Sequence, residues 1–464
     1  MIQLSGVTLR PGEAETLLAR RAEKALGCPV TQLRILRKSL DARKKSDVRW
    51  VYTLACACGN ENAALKRCAK ASRYEPQAYE FPAADKTFAH RPVVIGAGPG
   101  GLFCALMLAR SGAKPILLER GKCIEERALD VQAHRAGGPL RPGSNLQFGE
   151  GGAGTFSDGK LNTGVNDPRM AYLLKQFVHF GAPAEVAYLA APHVGTDNLR
   201  KVVRAIREEL LALGAEVRFG HQVTGLEVSG DRLTALTVTG PEGDYRLETD
   251  AACLAIGHSA RDTFQMLYDI GVPMEQKRFA VGVRIEQRQE DVSRSQYGEA
   301  AEQLPPASYK LSCHLPNGRS AYSFCVCPGG EVMAAASEPE TVVTNGMSEY
   351  ARDRENINGA LLVGVGPEDY PSPHPLAGVE FQRQLERAAW LAGGKNGFAP
   401  AQRVEDFLAG RATAAFGSVR PSYLPGVTPA DLHGCLPEFI TETLELALPE
   451  LGKSCGAMTR RTRC

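Results

Sequence analysis

A glycine-rich turn at residues 96–101 carries the clearest chemical signal in the sequence. It follows the apolar, strand-like segment 92–95 and precedes a helical pattern with apolar residues at 102, 105, 106 and 109. In this strand–turn–helix setting, G-x-G-x-x-G predicts a dinucleotide site, because bare backbone N–H groups at a helix N-terminus bind a diphosphate. The predicted contacts in the turn are Gly96, Ala97, Gly98, Pro99, Gly100 and Gly101.

The three glycines of the motif have separate predicted tasks. Gly96 permits the tight turn, Gly98 lets the backbone approach the diphosphate, and Gly101 allows the helix to pack closely on the strand. A second apolar strand at 115–118 ends at Glu119, whose carboxylate is placed to accept hydrogen bonds from an adenosine ribose. A carboxylate there disfavours a 2′-phosphate, so NADP is not expected in this site. The adjacent Arg120 is also a predicted contact.

The chain after Glu119 favours FAD over NAD. A typical NAD dehydrogenase continues as regular strand–helix units. Here a Gly- and Ser-rich stretch at 137–164 follows, then helical patterns near 168–180 and 197–213, and then a meander of short strands between 216 and 248. The next apolar strand, 252–257, reads ACLAIG.

This order of elements resembles the glutathione-reductase-type flavoproteins. Four segments are more specifically similar to a bacterial family of uncharacterised FAD-dependent dehydrogenases: SLDARKK at 39–45, SNLQFGEGGAGTFSDGKL at 144–161, AIGHSARD at 255–262 and NGMS at 345–348. The resemblance covers nearly the whole chain. It implies FAD as the cofactor but does not identify a substrate.

The resemblance also implies further cofactor contacts. Val223 would meet the adenine, and Ala255 and Gly257 would pass close to the flavin nucleotide. The stretch 149–154 is either a flexible loop or a surface kept free of side chains for the isoalloxazine, and we favour the second interpretation. The remaining predicted flavin contacts are Gly152, Thr155, Ser157 and Lys160. Lys160 is either a stabiliser of negative charge near flavin N1 or a solvated loop lysine.

The C-terminus departs from the pattern of the family. Flavoproteins of this class close the first domain with a late Gly-rich segment, which in this family contains Gly-Glu-Gly-Ala-Gly. The chain ends GAMTRRTRC at 456–464 without such a segment. We therefore expect a truncated or frame-shifted C-terminus, with adenosine binding better preserved than binding of the flavin ring.

The predicted fold class is α/β, with a Rossmann-type FAD-binding domain, an inserted mixed α+β substrate domain and a small N-terminal α+β domain. The boundaries are a basic α+β domain at 1–75, a linker at 76–91, the FAD-binding domain at 92–270, the substrate domain at 271–410 and an incomplete return to the FAD-binding domain at 411–464.

Composition limits the remaining classes of function. The 464 residues carry a formal net charge of +2, which leaves no global field for a polyanion. The first thirty residues lack a secretory signal, and no long apolar segment resembles a membrane span, so a cytoplasmic protein is expected. The odd number of cysteines, 13, favours reduced thiols over a disulfide framework.

Two Cys-x-Cys pairs, at 56–58 and 325–327, lack the spacing of a zinc site, and no metal is expected. Alternation along a strand places both thiols of each pair on one face, so a buried core is the predicted environment. Cys123 stands alone after the nucleotide motif, and a disulfide reductase of the usual type is therefore not expected.

Other candidates for chemistry are weaker. His258 and Arg261 either face a substrate or begin a helix. Arg284 is either an anchor for an anion or a surface arginine on a half-exposed strand. No general acid or base can be named from the sequence, and the catalytic residues are left unassigned.

The predicted function is that of an FAD-dependent oxidoreductase, a dehydrogenase that transfers hydride between a small organic substrate and flavin N5. The segment 362–368 lacks the third glycine of a second nucleotide motif. The electron donor is therefore either the substrate itself or transiently docked NAD(P)H.

The alternative is an RNA-modifying flavoenzyme whose basic residues 1–75 bind phosphates. The competing interpretation of residues 1–75 is a solvated charged hairpin or a docking face for the acidic remainder of the chain. The basic residues in question are Arg34, Arg37, Lys38, Arg43, Lys44, Lys45 and Arg49.

Overall fold

The computed structural model describes residues 1–76, 79, 81, 87–161 and 167–454. The N-terminal unit is a four-stranded antiparallel sheet in the order β2-β3-β1-β4. Apolar residues of α1 pack on one face of this sheet, where Leu18, Ala22 and Leu26 are buried. The elements are β1 Ile2–Leu9, α1 Leu17–Leu26, β2 Val30–Asp41, β3 Arg49–Cys58, α2 Glu61–Arg67 and β4 Ala71–Arg73. Part of the predicted linker 76–91 lies outside the described residues.

A parallel sheet in the order β11-β5-β6-β7 forms the second unit. Its strands are short and apolar, and helix α3 connects β5 to β6 as the sequence predicts. The elements are β5 Val93–Ile95, α3 Pro99–Arg110, β6 Ile116–Glu119, α4 Ile124–Arg135, α5 Arg169–His179, α6 Thr196–Ala212, β7 Glu216–Phe219, β8 Gln222–Ser229, β9 Arg232–Gly240, β10 Gly243–Glu248, β11 Ala252–Leu254 and α7 Arg261–Asp269.

Both faces of the parallel sheet are covered. Val94 and Leu117 face the buried side chains of α3 and α6. Their neighbours along β5 and β6, including Ile95 and Leu118, face the antiparallel meander β8–β10. Because side chains alternate across a strand, a sheet buried on both sides needs continuous apolar strands, which these are.

The third unit has an antiparallel sheet in the order β12-β17-β14-β13, a small sheet of β15 with β16, and a parallel pair of β18 with β19. The elements are β12 Phe279–Arg288, α8 Gln289–Tyr297, β13 Ser312–His314, β14 Ser320–Cys327, β15 Glu331–Ala334, β16 Thr344–Met347, β17 Asn356–Val365, α9 Ala377–Ala392, β18 Ala399–Ala401, α10 Val404–Leu408, β19 Val427–Pro429 and α11 Glu438–Ser454. In the described ranges, no helix combines the length and apolar character needed to cross a membrane.

Helix α11 differs from the predicted return of 411–464 to the FAD-binding domain. Its buried residues Ile440, Leu444 and Leu448 recur every four positions and pack on the third unit's antiparallel sheet, which contributes Leu361 and Val363 to the same core. The apolar stripe of the helix therefore joins it to the predicted substrate domain. The expected truncation concerns residues 455–464, which lie outside the described part of the chain.

One buried arginine holds the glycine-rich loop that follows α4. The Arg127 side chain is fully buried, and its guanidinium lies 4.8 Å from the centre of the Phe156 ring. It donates hydrogen bonds to main-chain carbonyl oxygens of Asn145 (2.9 Å), Leu146 (2.9 Å), Gly149 (3.3 Å), Glu150 (2.6 Å) and Gly152 (2.9 Å). A buried loop without regular structure needs such partners for its carbonyl groups.

Glu150 in the same loop is also buried. Its carboxylate accepts hydrogen bonds from the Ile124 N–H (2.7 Å) and from Arg207 (3.0 Å). Burial nevertheless raises the pKa of Glu150 from 4.5 to about 7, because removal from water disfavours the charged form.

We predict that Arg127→Met lowers the free energy of unfolding by about 3 kcal/mol or more, since it leaves several buried carbonyl oxygens without a donor. Denaturant unfolding measures the change. Arg232→Met, at an exposed position of β9, is the control and should change stability by less than about 0.5 kcal/mol. Equal losses in the two variants would show that Arg127 does not hold the loop.

A second prediction concerns pH. The Glu150 carboxyl ionises near pH 4.5 in the unfolded chain and near pH 7 in the folded chain, so the wild type loses stability across this window as pH rises. Glu150→Gln cannot ionise. Its stability relative to the wild type should increase from pH 4.5 to pH 7 and then level off. Glu126→Gln, at an exposed position of α4, is the control, and a pH-independent difference for Glu150→Gln would contradict the prediction.

Candidate dinucleotide-binding site

A cavity of about 420 Å³ opens at the carboxyl ends of β5, β6 and β11. Open α/β sheets bind their ligands at this edge, where loops and helix N-termini converge. The cavity brings together many of the predicted cofactor contacts: Gly96, Gly98, Pro99, Gly100, Glu119, Arg120, Gly152, Val223, Ala255 and Gly257. The sequence separates these residues by up to 161 positions, and the parallel sheet places them around one space.

The glycines of the turn divide into two groups. Gly96 has φ +100°, and a Cβ there would lie 2.5 Å from the Ala255 carbonyl oxygen. A Cβ on Gly101 would lie 1.8 Å from the Gly96 carbonyl oxygen. The packing of the protein itself therefore excludes side chains at these two positions.

Gly98 and Gly100 are different. Gly98 has φ −71°, which any residue adopts, and the nearest atom to its Cβ position is 3.9 Å away. No atom lies within 4 Å of the Cβ position of Gly100. Both residues line the cavity. The protein has room for side chains at both positions, so their absence leaves bare backbone facing the cavity at the start of α3.

The Glu119 carboxylate lies at the wall of the cavity and is buried. It accepts hydrogen bonds from the N–H groups of Ala97 (2.7 Å), Gly121 (2.8 Å) and Gly149 (3.0 Å). A carboxylate accepts about four hydrogen bonds, so the predicted ribose contact has acceptor capacity left. The same carboxylate also joins the turn to the glycine-rich loop, a structural task that the sequence does not reveal.

Arg120 closes one side of the cavity. Its guanidinium makes two hydrogen bonds of 2.9 Å to Asp262 and lies 4.5 Å from the centre of the Phe148 ring. Burial disfavours the charged form of Asp262, but the Arg120 guanidinium holds the pKa of this carboxyl below its usual value. The Gln222 amide also donates to Asp262 (2.8 Å), which ties this wall to the meander strand that carries Val223.

Five of the predicted contacts lie outside this cavity. Ala97 and Gly101 are buried behind the turn; Ala97 donates its N–H to Glu119, and its carbonyl oxygen accepts from the Gly151 N–H (2.8 Å). Thr155, Ser157 and Lys160 instead line a neighbouring cavity of about 690 Å³. A 3₁₀ turn at Ala153–Phe156 redirects the chain between the two spaces, and both cavities share Pro99 and Gly154 as lining residues.

Lys160 is not a solvated loop lysine. It forms an ion pair with Asp158, and the His193 Nδ1 atom lies 2.6 Å from the other Asp158 oxygen. Burial acts to raise the pKa of Asp158, but His193 and Lys160 together lower it to about 2. This buried cluster joins residues more than thirty positions apart, so no local pattern in the sequence marks it.

A third cavity of about 430 Å³ meets the first at Gln147, His258 and Ser259. Burial lowers the pKa of His258, so its imidazole is neutral at physiological pH. Arg261 is buried and pairs with Glu338 (2.8 Å) and Glu386 (2.6 Å). These two carboxylates bind its guanidinium, which supports the interpretation that Arg261 begins a helix rather than faces a substrate.

Arg284 lies at the wall of the third cavity but also has internal partners. It donates to the Asn358 side chain (3.0 Å) and to the Cys325 carbonyl oxygen (2.9 Å). It is therefore not a surface arginine, and its contacts fix the end of β14.

The predicted buried pair at 325–327 needs a correction. A β-bulge between Phe324 and Cys327 breaks the alternation of the strand, and Cys325 has φ +43°. As a result Cys325 lines the 690 Å³ cavity, whereas Cys327 is completely buried. In the described part of the chain all cysteines are free thiols.

Two family models match the sequence. Residues 278–462 match "FAD-dependent protein, C-terminal domain-like", and residues 1–57 match a domain of unknown function. An anhydrotetracycline monooxygenase of Streptomyces rimosus is 35% identical over 158 residues, which are 34% of this chain and 28% of that enzyme.

Solved structures that match part of the chain include an anhydrotetracycline hydroxylase from Streptomyces rimosus and a flavin-dependent brominase. The hydroxylase has 21% identity and a TM-score of 0.26, over 62% of this chain and 47% of its own. The brominase has 13% identity and a TM-score of 0.32, over 63% of this chain and 62% of its own. The chain thus spans about half of the hydroxylase and just over a quarter of the monooxygenase.

A much longer match comes from an uncharacterized protein of Clostridium beijerinckii. It is 40% identical over 468 aligned residues, which cover 99% of this chain and 87% of that protein. The chain therefore belongs to the family of this Clostridium protein.

Proposed function

We propose that the protein is an FAD-dependent oxidoreductase that binds the FAD diphosphate at the start of α3. The observation that carries the proposal is the pair Gly98 and Gly100, which line the cavity although the protein has room for side chains there. Backbone N–H groups at a helix N-terminus bind such anions, and a Cβ would keep the diphosphate from them. The FAD-dependent description of the C-terminal family model supports the choice of dinucleotide.

The remaining proposed contacts follow from this placement of the FAD diphosphate. Glu119 would accept hydrogen bonds from the ribose, and Val223 would meet the adenine, on the side that Arg120 closes. The space of about 420 Å³ is at the lower end of the range for ligand pockets. We therefore place the flavin end beyond Gly152–Gly154, where the larger cavity with Thr155, Ser157 and Lys160 begins.

When bound, FAD supplies two-electron chemistry at its ring. The chain's own residues hold the ends of the cofactor, and the ion-paired Lys160 places a positive charge in the larger cavity. A small organic substrate would enter that cavity, whose lining is mostly apolar. His258, Arg261 and Arg284 receive no catalytic assignment.

The proposed reaction is hydride transfer between that substrate and the flavin, with NAD(P)H as a transient donor if the substrate is not the donor. A second candidate reaction is hydroxylation. It is favoured by the 35% identity to a Streptomyces monooxygenase over 158 residues.

The nucleic-acid alternative for residues 1–75 stays a prediction. Three of its seven basic residues pair with carboxylates of the chain: Lys38 with Glu15 (2.6 Å), Arg43 with Asp41 (2.6 Å) and Arg49 with Asp47 (2.7 Å). Arg34 contacts Tyr74 instead. Lys38 also lies over the Trp50 ring, 4.6 Å from its centre. These contacts favour a charged surface that is satisfied by its own carboxylates.

We predict that the purified protein takes up FAD and turns yellow, and that Gly98→Val weakens FAD binding at least about tenfold, or about 1.4 kcal/mol. The valine side chain would occupy the place of the diphosphate. Absorbance after gel filtration and a fluorescence titration measure binding. Gly59→Val is the matched control, because Gly59 is an exposed glycine with no atom within 4 Å of its Cβ position.

Wild-type FAD affinity in a folded Gly98→Val variant would exclude the diphosphate site. A folded wild type that stays colourless with added FAD would count against the cofactor itself.

The reaction class is tested by anaerobic mixing of the FAD-loaded protein with NADH, NADPH and a panel of metabolites. A dehydrogenase should lose flavin absorbance with its organic substrate in the absence of oxygen. A hydroxylase should be reduced by a nicotinamide and should place one atom of labelled oxygen gas in its product. Label in the product would therefore replace the proposed hydride transfer with the second candidate.

A further inference from the structure

Cys325 occupies an unusual backbone position for a cysteine. It has φ +43°, a left-handed conformation that non-glycine residues rarely adopt, and it lies within the bulge of β14. Residues held in such backbone conformations cluster at active sites and ligand-binding sites. Cys325 and its neighbours Phe324 and Val326 line the 690 Å³ cavity that Ser157 and Lys160 also line.

A second thiol lies directly behind the first. Cys327 is completely buried, and its sulfur is 3.4 Å from the Cys325 carbonyl oxygen and within hydrogen-bonding reach of the Cys325 sulfur. The Cys325 sulfur faces the cavity, where the Ser157 hydroxyl is 3.9 Å away. One thiol is therefore open to a small molecule, and the other is close to it but shielded.

Two cations, Arg284 and Lys160, and one carboxylate, Asp158, surround the pair. Arg284 lies 3.9 Å from the Cys327 sulfur and donates to the Cys325 carbonyl oxygen, and Lys160 lines the cavity. The Cys327 thiol, Arg284 and Lys160 together lower the pKa of Cys325 from 9.0 to about 5 against the effect of burial. Cys325 is therefore the more readily ionised thiol of the pair, and the thiolate is the nucleophilic form of cysteine.

Another thiol pair in the same chain lacks these features. Cys104 and Cys253 also lie within hydrogen-bonding reach of each other, but burial is the main cause that raises the pKa of Cys104 to about 12. Proximity of two thiols alone therefore does not produce a thiolate in this protein. The cations and the open cavity distinguish the pair at 325 and 327.

We propose that Cys325 and Cys327 form a redox-active dithiol that reduces small anionic disulfides in the 690 Å³ cavity. Lys160 and Lys310 line this cavity together with Asp158, which pairs with Lys160, and the surplus of positive charge favours an anionic partner. The inference goes beyond the proposed function and does not depend on FAD binding. It also differs from the flavin disulfide reductases, whose cysteine pair would follow the first nucleotide motif.

The reaction has two balanced steps. The Cys325 thiolate attacks one sulfur of the external disulfide, the sulfur–sulfur bond breaks, and one external thiolate leaves. Cys327 then attacks the Cys325 sulfur of this mixed disulfide, and its proton passes to the second external thiolate as that group leaves. Two cysteines lose two electrons and form the Cys325–Cys327 disulfide, and one external disulfide becomes one thiolate and one thiol.

The order of attack follows from the two environments. The hydrogen bond to the Cys325 sulfur is the largest cause that holds the pKa of Cys327 well above its usual value. Once Cys325 is part of a mixed disulfide, it no longer carries the negative charge that opposes ionisation of Cys327. The first step therefore prepares the second thiol to attack.

The test uses the full chain and dithiobis-nitrobenzoate, an anionic aromatic disulfide that releases a coloured thiolate. The wild type should show a rapid release of two thiolates from this pair. Trypsin releases residues 320–352 as one peptide, flanked by cleavage after Arg319 and Arg352, and it contains only these two cysteines. This peptide should be recovered without label and two hydrogens lighter.

The variants separate the two roles. Cys327→Ser should release one thiolate and keep the label on Cys325, and Cys325→Ser should lose the rapid phase. Cys104→Ser is the matched control and should keep it. The rapid phase should persist at pH 6, where an ordinary thiol reacts roughly a hundredfold more slowly than at pH 8.

Three results would overturn the proposal: reaction of Cys325 no faster than that of Cys104, a labelled wild-type peptide that never closes to a disulfide, or a rapid phase that persists in folded Cys325→Ser. Thermal unfolding checks that each variant is folded. If Cys325→Ser is not, the labelled peptide of Cys327→Ser decides the question. The reaction is run with and without added FAD, and flavin absorbance reports cofactor binding as a separate result.

Discussion

The buried carboxylate of Glu119 is the point at which three separate segments of the chain meet. Its oxygens accept hydrogen bonds from three N–H groups: those of Ala97 in the glycine-rich turn, Gly121 after β6 and Gly149 in the glycine-rich loop. On the far side of that loop, Arg127 holds the carbonyl oxygens. Gly149 shows the arrangement most clearly, because its N–H is bound to Glu119 and its carbonyl oxygen to Arg127.

This arrangement explains how an irregular loop can form the wall of a cavity. Buried main-chain groups must find partners, and the loop has no helix or strand to supply them. Two charged side chains take that place, and each charge is in turn satisfied by several main-chain dipoles. The wall of the cavity therefore depends on side chains that lie in neighbouring secondary structure, which makes it as rigid as the sheet and helix behind it.

The sequence predicts the part of the site that is local. The apolar strand, the glycine turn and the helix stripe at 102–109 occupy about twenty residues, and their order alone places Glu119 near the turn. The sequence does not show that Thr155, Ser157 and Lys160 line a second cavity, to which a 3₁₀ turn at Ala153–Phe156 directs them, and their predicted flavin contact stays a prediction. Residue spacing does not show such a change of direction.

The same limit applies to contacts between distant segments. Strand alternation predicted that Cys325 and Cys327 share one buried face, and the bulge of β14 separates them. The pairing of Asp158 with His193 and the packing of α11 on the third unit's sheet also depend on tertiary structure. A single sequence contains the periodicity of each element but not the neighbours that it will meet.

The bulge of β14 has one more consequence. Because it sets the direction of the Cys325 Cα–Cβ bond through main-chain torsion, that direction does not depend on which rotamers its neighbours adopt. Phe324, beside it, is 61% exposed and lines the same cavity. Substitutions at such flanking positions would leave the sulfur in place. Loss of a single residue from β14 would restore regular strand pairing and remove the sulfur from the cavity.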